Sequence, residues 1–468
     1  MKHKSIHNIY FWTLVMAIMI VPLLNINVRA DQNNLEDISD SSGSLYASKE
    51  SSTEINLLTL LRAKQIALKN NPSLASALEN VNQAKEVINQ ARAQYFPTLS
   101  ATAGVDYTEE TGSSNADYDE NTYTKKLSVT QTLFDGFYTK YLNLSARYRE
   151  KMSVVAQDDA KRLLSWAVAQ AFLNTQLGYE NIKTAQADMD FNRGQEIEAI
   201  AKEKAGTGSF SDVLNFKTKV NSAKSSLLSA QQDLNESIHG LAALLGYKDA
   251  CLPEGMSIAP LTSEESDSDL SGLKYSVSDL DMETLLSNRS DIQETMLSIK
   301  DAEAGINMEK ASYFPTISLT GSYGTATAES FHDTDSVAAS VGVYVSFDIF
   351  SGGTTKSLVR QAQAEKRGLE KTLEDAKNTA VSNIKISLNN ITTAQEQLTL
   401  QEENTSLIEK TRDLVEKEFN AGIVSLVRLN EAQNDLVNAM GDLSKARVSL
   451  ILAFEKFDYY IGKNTSRI

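Results

Sequence analysis

Four segments of the chain alternate strictly between apolar and polar residues. In the first, Leu, Ala, Val and Tyr take the odd-numbered positions from Leu99 to Tyr107, and Ser, Thr, Gly and Asp take the even ones. A period of two predicts β-strands with one apolar and one polar face, and each segment is long enough to cross a bilayer as a tilted strand. A strand of a β-sandwich would show the same alternation. The four predicted strands cover about 98–108, 123–134, 316–325 and 338–350.

Long tracts without proline separate these strands and predict helices. All 6 prolines lie at or before Pro315, and none falls between residues 98 and 252. Proline is excluded from helix interiors, and both tracts are rich in the good helix formers Ala, Leu, Gln, Glu and Lys. We therefore predict two helices of roughly 70 residues, about 105 Å long, each followed by a shorter return helix. The predicted bounds are Gly136 to about Ala205 and about 210–246, then about Gly353 to Ala421 and about 425–462.

Apolar residues at coiled-coil spacing along the two long helices predict their buried stripes. We expect the first helix to bury Leu163, Ala167 and Ala171. We expect the second helix to bury four branched residues, Ile384, Leu388, Ile391 and Leu398. The other faces are polar, which is typical of helices that pack in pairs and face water on the opposite side.

The chain contains the same unit twice. Tyr95-Phe96-Pro97-Thr98 returns as Tyr313-Phe314-Pro315-Thr316, and Leu133-Phe134-Asp135-Gly136 returns as Ile349-Phe350-Ser351-Gly352. A period of about 200 residues is far longer than a solenoid repeat and indicates a duplicated half-molecule.

Domain bounds follow from this duplication and from composition. The N-terminus predicts an export signal, because it combines Lys2 and Lys4 with an apolar run and a small-residue cleavage site. An uncleaved membrane anchor is the alternative. A Ser- and Asp-rich stretch after it predicts a disordered lead-in. Pro253, Pro260 and an acidic run predict a linker between the copies. The expected order is signal 1–30, lead-in 31–54, first copy 55–247, linker 248–280, second copy 281–462 and tail 463–468.

Charge and reactive side chains exclude several classes of function. The formal net charge is −16, and removing the three positive charges of residues 1–30 leaves −19 (−16 − 3), which argues against a nucleic-acid partner. Cys251 is the only cysteine, so no internal disulfide forms. After residue 30 the only histidines are His239 and His332, and no H-E-x-x-H motif or phosphate loop occurs. We therefore predict no enzymatic activity, no cofactor and no metal.

Four strands with one apolar face cannot close a pore alone. Open sheet edges in lipid leave backbone groups unpaired, at a cost of several kcal/mol each. If the strands lie in a membrane, several chains must therefore share one barrel, and three chains would supply twelve strands.

The ordered and duplicated motifs resemble the TolC-type outer-membrane efflux and secretion proteins. The motifs are Asn71-Pro72-Ser73-Leu74, the 94–100 junction, the 131–136 stretch and two glycine turns, and the resemblance covers about 55–462. It implies a mainly α protomer with membrane β-strands. Three protomers would form a 12-stranded β-barrel in the outer-membrane lipid. This barrel would be continuous with an α-helical tunnel in the periplasm. Such a homotrimer is the exit duct of an export system, working with a periplasmic adaptor and an inner-membrane ABC or proton-driven pump.

The resemblance also implies an aperture at the periplasmic end of the tunnel. The family closes this end with acidic side chains that follow the turn glycines, and the matching positions are Asp212, Arg428 and Glu431. Arg428 stands where the family carries an acid. We hypothesise that Arg428 pairs with Asp212 or Glu431 and latches the closed state, with a solvated helix surface as the alternative.

Two further sets of residues match family sites. The turns Ala205-Gly206-Thr207 and Ala421-Gly422-Ile423 match the adaptor-docking grooves, although helix C-caps alone would explain their glycines. Six residues at the helix–strand junctions could form a girdle at the membrane interface or pack locally. They are Tyr95, Phe96, Pro97, Tyr313, Phe314 and Pro315.

Cargo is not readable from the sequence, because selectivity in such systems belongs mostly to the pump. Type I protein secretion and multidrug efflux both stay open, with the acidic loops favouring secretion or a general duct. A trimeric coiled-coil stalk or surface fibre without transport activity is the alternative. A stalk predicts one terminal anchor, whereas the predicted strands lie mid-chain and occur twice.

Overall fold

The computed structural model describes residues 56–110, 118–261, 281–328 and 337–462. The predicted signal peptide, lead-in and tail lie outside these residues, as does the acidic part of the predicted linker. Six strands and eight α-helices follow one another along the described chain. They are β1 (Asn56–Leu58), α1 (Leu60–Asn70), α2 (Pro72–Ala93), β2 (Thr98–Glu110), β3 (Tyr118–Asp135), α3 (Tyr138–Lys204), α4 (Phe210–Leu244), β4 (Met256–Ile258), α5 (Met282–Ser287), α6 (Ser290–Lys310), β5 (Thr316–Thr327), β6 (Val337–Ser346), α7 (Thr354–Asn420) and α8 (Leu426–Tyr460).

The four longer strands form one antiparallel sheet in the order β2-β3-β5-β6. Leu99 pairs with Val129, and Leu127 pairs with Tyr323. Because side chains alternate along every strand, this register places most apolar residues of the four strands on one face, whereas Tyr344 of β6 lies opposite Ser318 on the other. β2 and β6 are the edges, and neither has a further strand partner within the described ranges. The prediction of long helices with four amphipathic strands is confirmed.

Two strand ends differ from the predicted ones. β3 begins at Tyr118 rather than near 123, because the backbone ladder with β2 continues through residues whose side chains no longer alternate. β6 ends at Ser346 rather than near 350. Ser346 pairs with Thr316, the first residue of β5, and Pro315 before it has no N–H to extend the ladder.

The duplication is visible in helix lengths. α3 and α7 contain 67 residues each, and α4 and α8 contain 35 residues each. α3 begins two residues later than predicted, because Gly136 and Phe137 both have positive φ and cannot start an α-helix. α3 packs along α4, α7 packs along α8, and α8 also packs against α3, which joins the two copies.

Of the two predicted coiled-coil stripes, one is confirmed and the other is partly wrong. Ile384, Leu388 and Ile391 lie in a buried cluster, with Leu398 packed against it. In α3, however, Leu163 is 52% exposed. The buried stripe of α3 instead includes Val168, Phe172 and Leu173. Val168 and Phe172 share a buried cluster with Ala63 of α1 and Leu241 of α4, and the predicted Ala171 packs against this cluster.

Part of the predicted linker is ordered. β4 pairs in parallel with β1, and Leu58 lies opposite Ile258. The side-chain amide of Gln176 in α3 donates to the carbonyl oxygen of Ala259 at 2.7 Å. Apolar residues between the two linker prolines therefore fasten this segment to the helical bundle.

Candidate functional site

The two helix hairpins end in equivalent turns. Gly206 and Gly422 both have a φ of +75°, a conformation that glycine adopts at no steric cost. The N–H groups of Gly206 and Thr207 donate to carbonyl oxygens at the end of α3, both at 2.9 Å, and those of Gly422 and Ile423 repeat these bonds at the end of α7. This pattern is the Schellman C-cap.

The serine after each turn starts the return helix. Ser209 accepts a hydrogen bond from the N–H of Ser211, and Ser425 accepts one from the N–H of Arg428. These are N-cap bonds. The six residues predicted to dock an adaptor, Ala205, Gly206, Thr207, Ala421, Gly422 and Ile423, are all exposed. Their docking role stays a prediction.

The predicted aperture residues lie just beyond these turns. Asp212 belongs to the first turn of α4, whereas Arg428 and Glu431 lie one helical turn apart near the start of α8. Arg428 Nη1 lies 3.4 Å from Glu431 Oε2, and both side chains are about half exposed. Among the ion pairs of the described residues, none joins Arg428 to Asp212. Within the protomer, Arg428 therefore pairs along its own helix and does not bridge the two copies.

An apolar cluster that the sequence reasoning missed joins the two hairpins near their tips. Phe216 of α4 is buried and meets Phe419 of α7 edge to face, with ring centroids 6.5 Å apart. Leu429 of α8 is fully buried beside them. Lys202 lies over the Phe419 ring at 5.4 Å and pairs with Glu198 at 2.8 Å. No sequence pattern indicated this cluster, because Phe216 and Phe419 meet only when the hairpins of the two repeats pack together.

Polar contacts reinforce the same junction between the copies. The amide of Gln433 donates to Asp188 at 2.8 Å, and that of Asn430 donates to Asn215 at 3.2 Å. Each bond joins α8 to a helix of the first copy. Side-chain amides therefore supply these polar links, and a latch by Arg428 stays a prediction.

Asp212 faces a small cavity close to the first turn. The cavity has a volume of about 30 Å³, and its lining includes Lys202, Asp212 and Phe216. This volume suits a water molecule and not an organic ligand. Asp212 is half-buried beside this cavity.

The predicted junction residues lie at the opposite end of the long hairpins, where helices meet the sheet. Tyr95, Phe96, Tyr313 and Phe314 are each about half exposed. Phe314 meets Phe137 edge to face at 6.3 Å, so it packs locally as well as facing outwards. A role in a membrane-interface girdle stays a prediction for this group, which also includes Pro97 and Pro315.

The described residues contain no group of three or more His, Cys, Asp or Glu side chains placed to hold a metal ion. The described helices include none whose length and apolar content would suffice to cross a bilayer.

Comparison with known proteins identifies the chain's family. A model of the outer membrane efflux protein family matches residues 63–247 and 282–463. The chain is 25% identical to outer membrane protein TolC of Escherichia coli K12, an alignment that covers 84% of this chain and 80% of TolC. It is 24% identical to the alkaline protease secretion protein AprF of Pseudomonas aeruginosa, over 86% of this chain and 84% of AprF.

A solved structure shares the fold at lower sequence identity. The Campylobacter jejuni CmeC outer membrane channel superposes with a TM-score of 0.73 at 16% identity, covering 92% of this chain and 93% of CmeC. The assignment to a family rests on the match of both segments to the family model, together with the paired hairpins and the amphipathic sheet. The chain belongs to the outer membrane efflux protein family and is an exit duct of the outer membrane.

Proposed function

We propose that three copies of this chain close one barrel in the outer membrane, with the paired helices prolonging its bore through the periplasm. The observation that carries this proposal is the four-stranded sheet with one apolar face and two edges without strand partners in the described chain. Unpaired edges in lipid are costly, so the sheet must close against other copies. Two copies would give eight strands, whose interior side chains fill the barrel. Three copies give twelve strands and leave an open bore.

The helices carry a matching surface for neighbouring chains of the trimer. Apolar residues at heptad positions of α7 are 53–65% exposed in the protomer: Ile386, Leu400, Leu407 and Leu414. α4 exposes Phe210, Leu214 and Leu228 in the same way. Leu214 and Leu414 lie close to the turns, and Leu228 and Leu400 lie two heptads further along. Exposed heptad stripes of this kind support packing of α4 in one copy along α7 in the next.

The tips then form the periplasmic aperture, and the turns dock a periplasmic adaptor that links the duct to an inner-membrane ABC or proton-driven pump. Asp212 and Glu431 of three copies would ring the mouth, and such a ring favours cations. Arg428 pairs with Glu431 and reduces this negative charge. The likeness to AprF supports an exported protein as cargo, although efflux of small molecules fits the same duct. We also infer that the chain carries out no catalysis.

The proposal is tested by the mass and location of the assembly. We expect the mature chain to fractionate with the outer membrane and to have the mass of three copies in native mass spectrometry after detergent extraction. A monomer that stays in the soluble fraction would contradict the proposal. A soluble, elongated trimer would instead support the structural stalk.

A further inference from the structure

The two antiparallel strand pairs of the sheet, β2–β3 and β5–β6, are equivalent residue by residue. Thr98, the first residue of β2, pairs with Thr130 of β3, and Thr316, the first residue of β5, pairs with Ser346 of β6. Equivalent positions are therefore 218 residues apart in β2 and β5 (316 − 98) and 216 residues apart in β3 and β6 (346 − 130). With these two offsets, each pair between β3 and β5 predicts an equivalent pair between β6 and a second β2.

The last part of β3 pairs with only one strand of the described sheet. β3 continues five residues past its last pair with β2 (135 − 130) and lies there beside the start of β5. The register shifts by one residue at Leu133, so Phe134 lies opposite Ile317 on the apolar face of the sheet. A β-bulge therefore aims a phenylalanine at the apolar face where β3 ends.

The equivalent residues after β6 have no such strand beside them in the described part of the chain. Ile349 and Phe350 correspond to Leu133 and Phe134. They are 90% and 88% exposed, whereas Phe134, with β5 beside it, is half-buried. Two large apolar side chains are thus left open where the first half of the chain forms a strand pair.

The turn into the following helix supports this alignment. The side chain of Asp135 accepts a hydrogen bond from the backbone N–H of Thr139 at 2.8 Å and another from its hydroxyl. At the equivalent positions, the hydroxyl oxygens of Ser351 and Thr355 lie 3.3 Å apart. The offset of 216 therefore holds on both sides of the exposed segment (351 − 135 and 355 − 139).

We propose that residues 347–351 extend β6 when the trimer forms and pair, antiparallel, with the start of β2 in the neighbouring chain. Subtracting 218 from the β5 partners of β3 gives the register. Ser346 lies opposite Thr102 of the neighbouring chain (320 − 218), and Phe350 lies opposite its Leu99 (317 − 218). This inference rests on the proposed trimer, and it assigns the contact between chains to particular residue pairs.

The bulge decides which face Phe350 takes. Without a bulge, Phe350 would have the parity of Ser346 and Asp348 and would face the polar bore. With a bulge at Ile349, it joins Val345 on the apolar face, as Phe134 does in β3. The strand extension also pairs backbone groups that would otherwise be left open at an edge in lipid.

The experiment is disulfide cross-linking of outer-membrane fractions in a Cys251→Ser background, because Cys251 is the only cysteine and is exposed. Ser346→Cys combined with Thr102→Cys should form a bond between chains under a copper–phenanthroline oxidant. Directly opposed residues of antiparallel strands have Cα atoms about 4.5–5.5 Å apart, a distance that a disulfide spans. Each chain carries both cysteines, so the product on a non-reducing gel is a covalent trimer that a reducing agent dissociates.

Matched pairs control for oxidation and for slippage of the strands. Thr130→Cys with Thr320→Cys is the equivalent pair inside one chain, and it should oxidise without linking chains. Ser346→Cys combined with Ser100→Cys or with Gly104→Cys tests a slip of two residues in either direction. Neither combination should link chains, because such diagonal positions lie about 7–8 Å apart.

A second set of pairs tests the bulge. Leu99→Cys should link to Phe350→Cys and not to Ile349→Cys. In a strand without a bulge, Ile349 would lie opposite Leu99, and the preference would be reversed. A reversed preference would therefore contradict the register proposed for residues 347–351.

The oligomer mass of the Cys251→Ser protein separates the two proposals. Trimers in which the pair inside the chain oxidises, but Ser346→Cys and Thr102→Cys do not link, would overturn this inference alone. Links from Ser346→Cys to either slipped position would overturn it as well. Protein that forms no trimer would overturn the proposed function and this inference with it.

Discussion

At the scale of single residues, the tip of the hairpins depends on apolar burial more than on ion pairs. Leu429 is 0% exposed in the cluster that joins the copies, whereas Val427 on the same helix is 65% exposed. Leu429→Ala should destabilise the fold by about 2–5 kcal/mol, because it removes buried methyl groups and leaves a cavity. Val427→Ala should change stability by less than about 0.5 kcal/mol. Thermal unfolding followed by circular dichroism measures both, and equal effects would contradict the burial described for this cluster.

The turn glycines offer a second test at this scale. Gly206 has a φ of +75° with open space around it, so only its backbone conformation resists substitution. Gly206→Ala should cost about 1–2 kcal/mol. Gly240 also has open space but lies within α4 without positive φ, so Gly240→Ala should stabilise the helix by about 0.5–1 kcal/mol. Opposite signs in chemical denaturation are expected, and the same sign for both would contradict the assigned turn geometry.

An ion pair between Arg289 and Asp291, at the start of α6, gives a pH dependence. Burial by itself would raise the pKa of Asp291, but hydrogen bonds and charge from Arg289 outweigh it and hold this pKa below its usual value. A carboxyl with a lowered pKa in the folded state stabilises the fold above its unfolded pKa of about 3.9, and this contribution fades as the pH falls through the folded value. Asp291→Asn should therefore reduce stability at pH 7 and flatten its decline below about pH 4. The side chain is half exposed, so the effect is small.

The residues at the hairpin tips show which features could be predicted from the sequence. The Gly206 and Gly422 turns follow from glycine after a long helical pattern, and the structure has both. Of the two partners hypothesised for Arg428, the protomer has Glu431, three residues along the same helix, and not Asp212 among the described ion pairs. The latch itself stays a prediction. The Phe216–Phe419 contact was not predictable, since it depends on how two hairpins from different copies pack.

At the scale of elements, the proposed packing of one chain against the next is tested on the exposed apolar stripe of α7. Leu407 lies on this stripe, and Ser406 is an exposed neighbour that points elsewhere. Leu407→Asp should leave the helical content unchanged and weaken the trimer, because it places a charge in an apolar contact between copies. Ser406→Asp adds the same charge off the stripe and should leave the trimer intact. Sedimentation velocity in detergent with circular dichroism measures both, and intact trimers of Leu407→Asp would contradict the proposed packing.

Elements were predicted correctly where one hydrophobic period dominates a segment. They were wrong or missed where pairing with a neighbouring strand decides whether a strand forms and where it ends. Alternation located the four sheet strands, and the absence of proline located the four long helices. The end of β6 was wrong because Pro315 on the neighbouring strand, and not the sequence of β6, stops the ladder. The short β1–β4 pair was missed because three residues in each strand carry too little pattern to distinguish a strand from a loop.

At the scale of the whole molecule, the duplication gives two equal hairpins that differ in chemistry at their tips. The first tip carries Asp212, whereas the second carries Arg428 paired with Glu431. If these side chains ring the aperture, Arg428→Glu should increase cation selectivity, because it adds negative charge at the mouth. The reversal potential across a salt gradient measures this change. Lys371→Glu, an exposed charge reversal far along α7 from the turn, is the control, and an unchanged reversal potential in Arg428→Glu would remove these residues from the aperture.

The most direct test of a shared, open-bored barrel is the conductance of the purified protein in planar bilayers. If three sheets close around one bore that the helices prolong, the detergent-extracted protein should insert and conduct in discrete, uniform steps. Folded protein of the same helical content that never conducts, at any concentration or voltage, would contradict a duct and leave only a structural stalk.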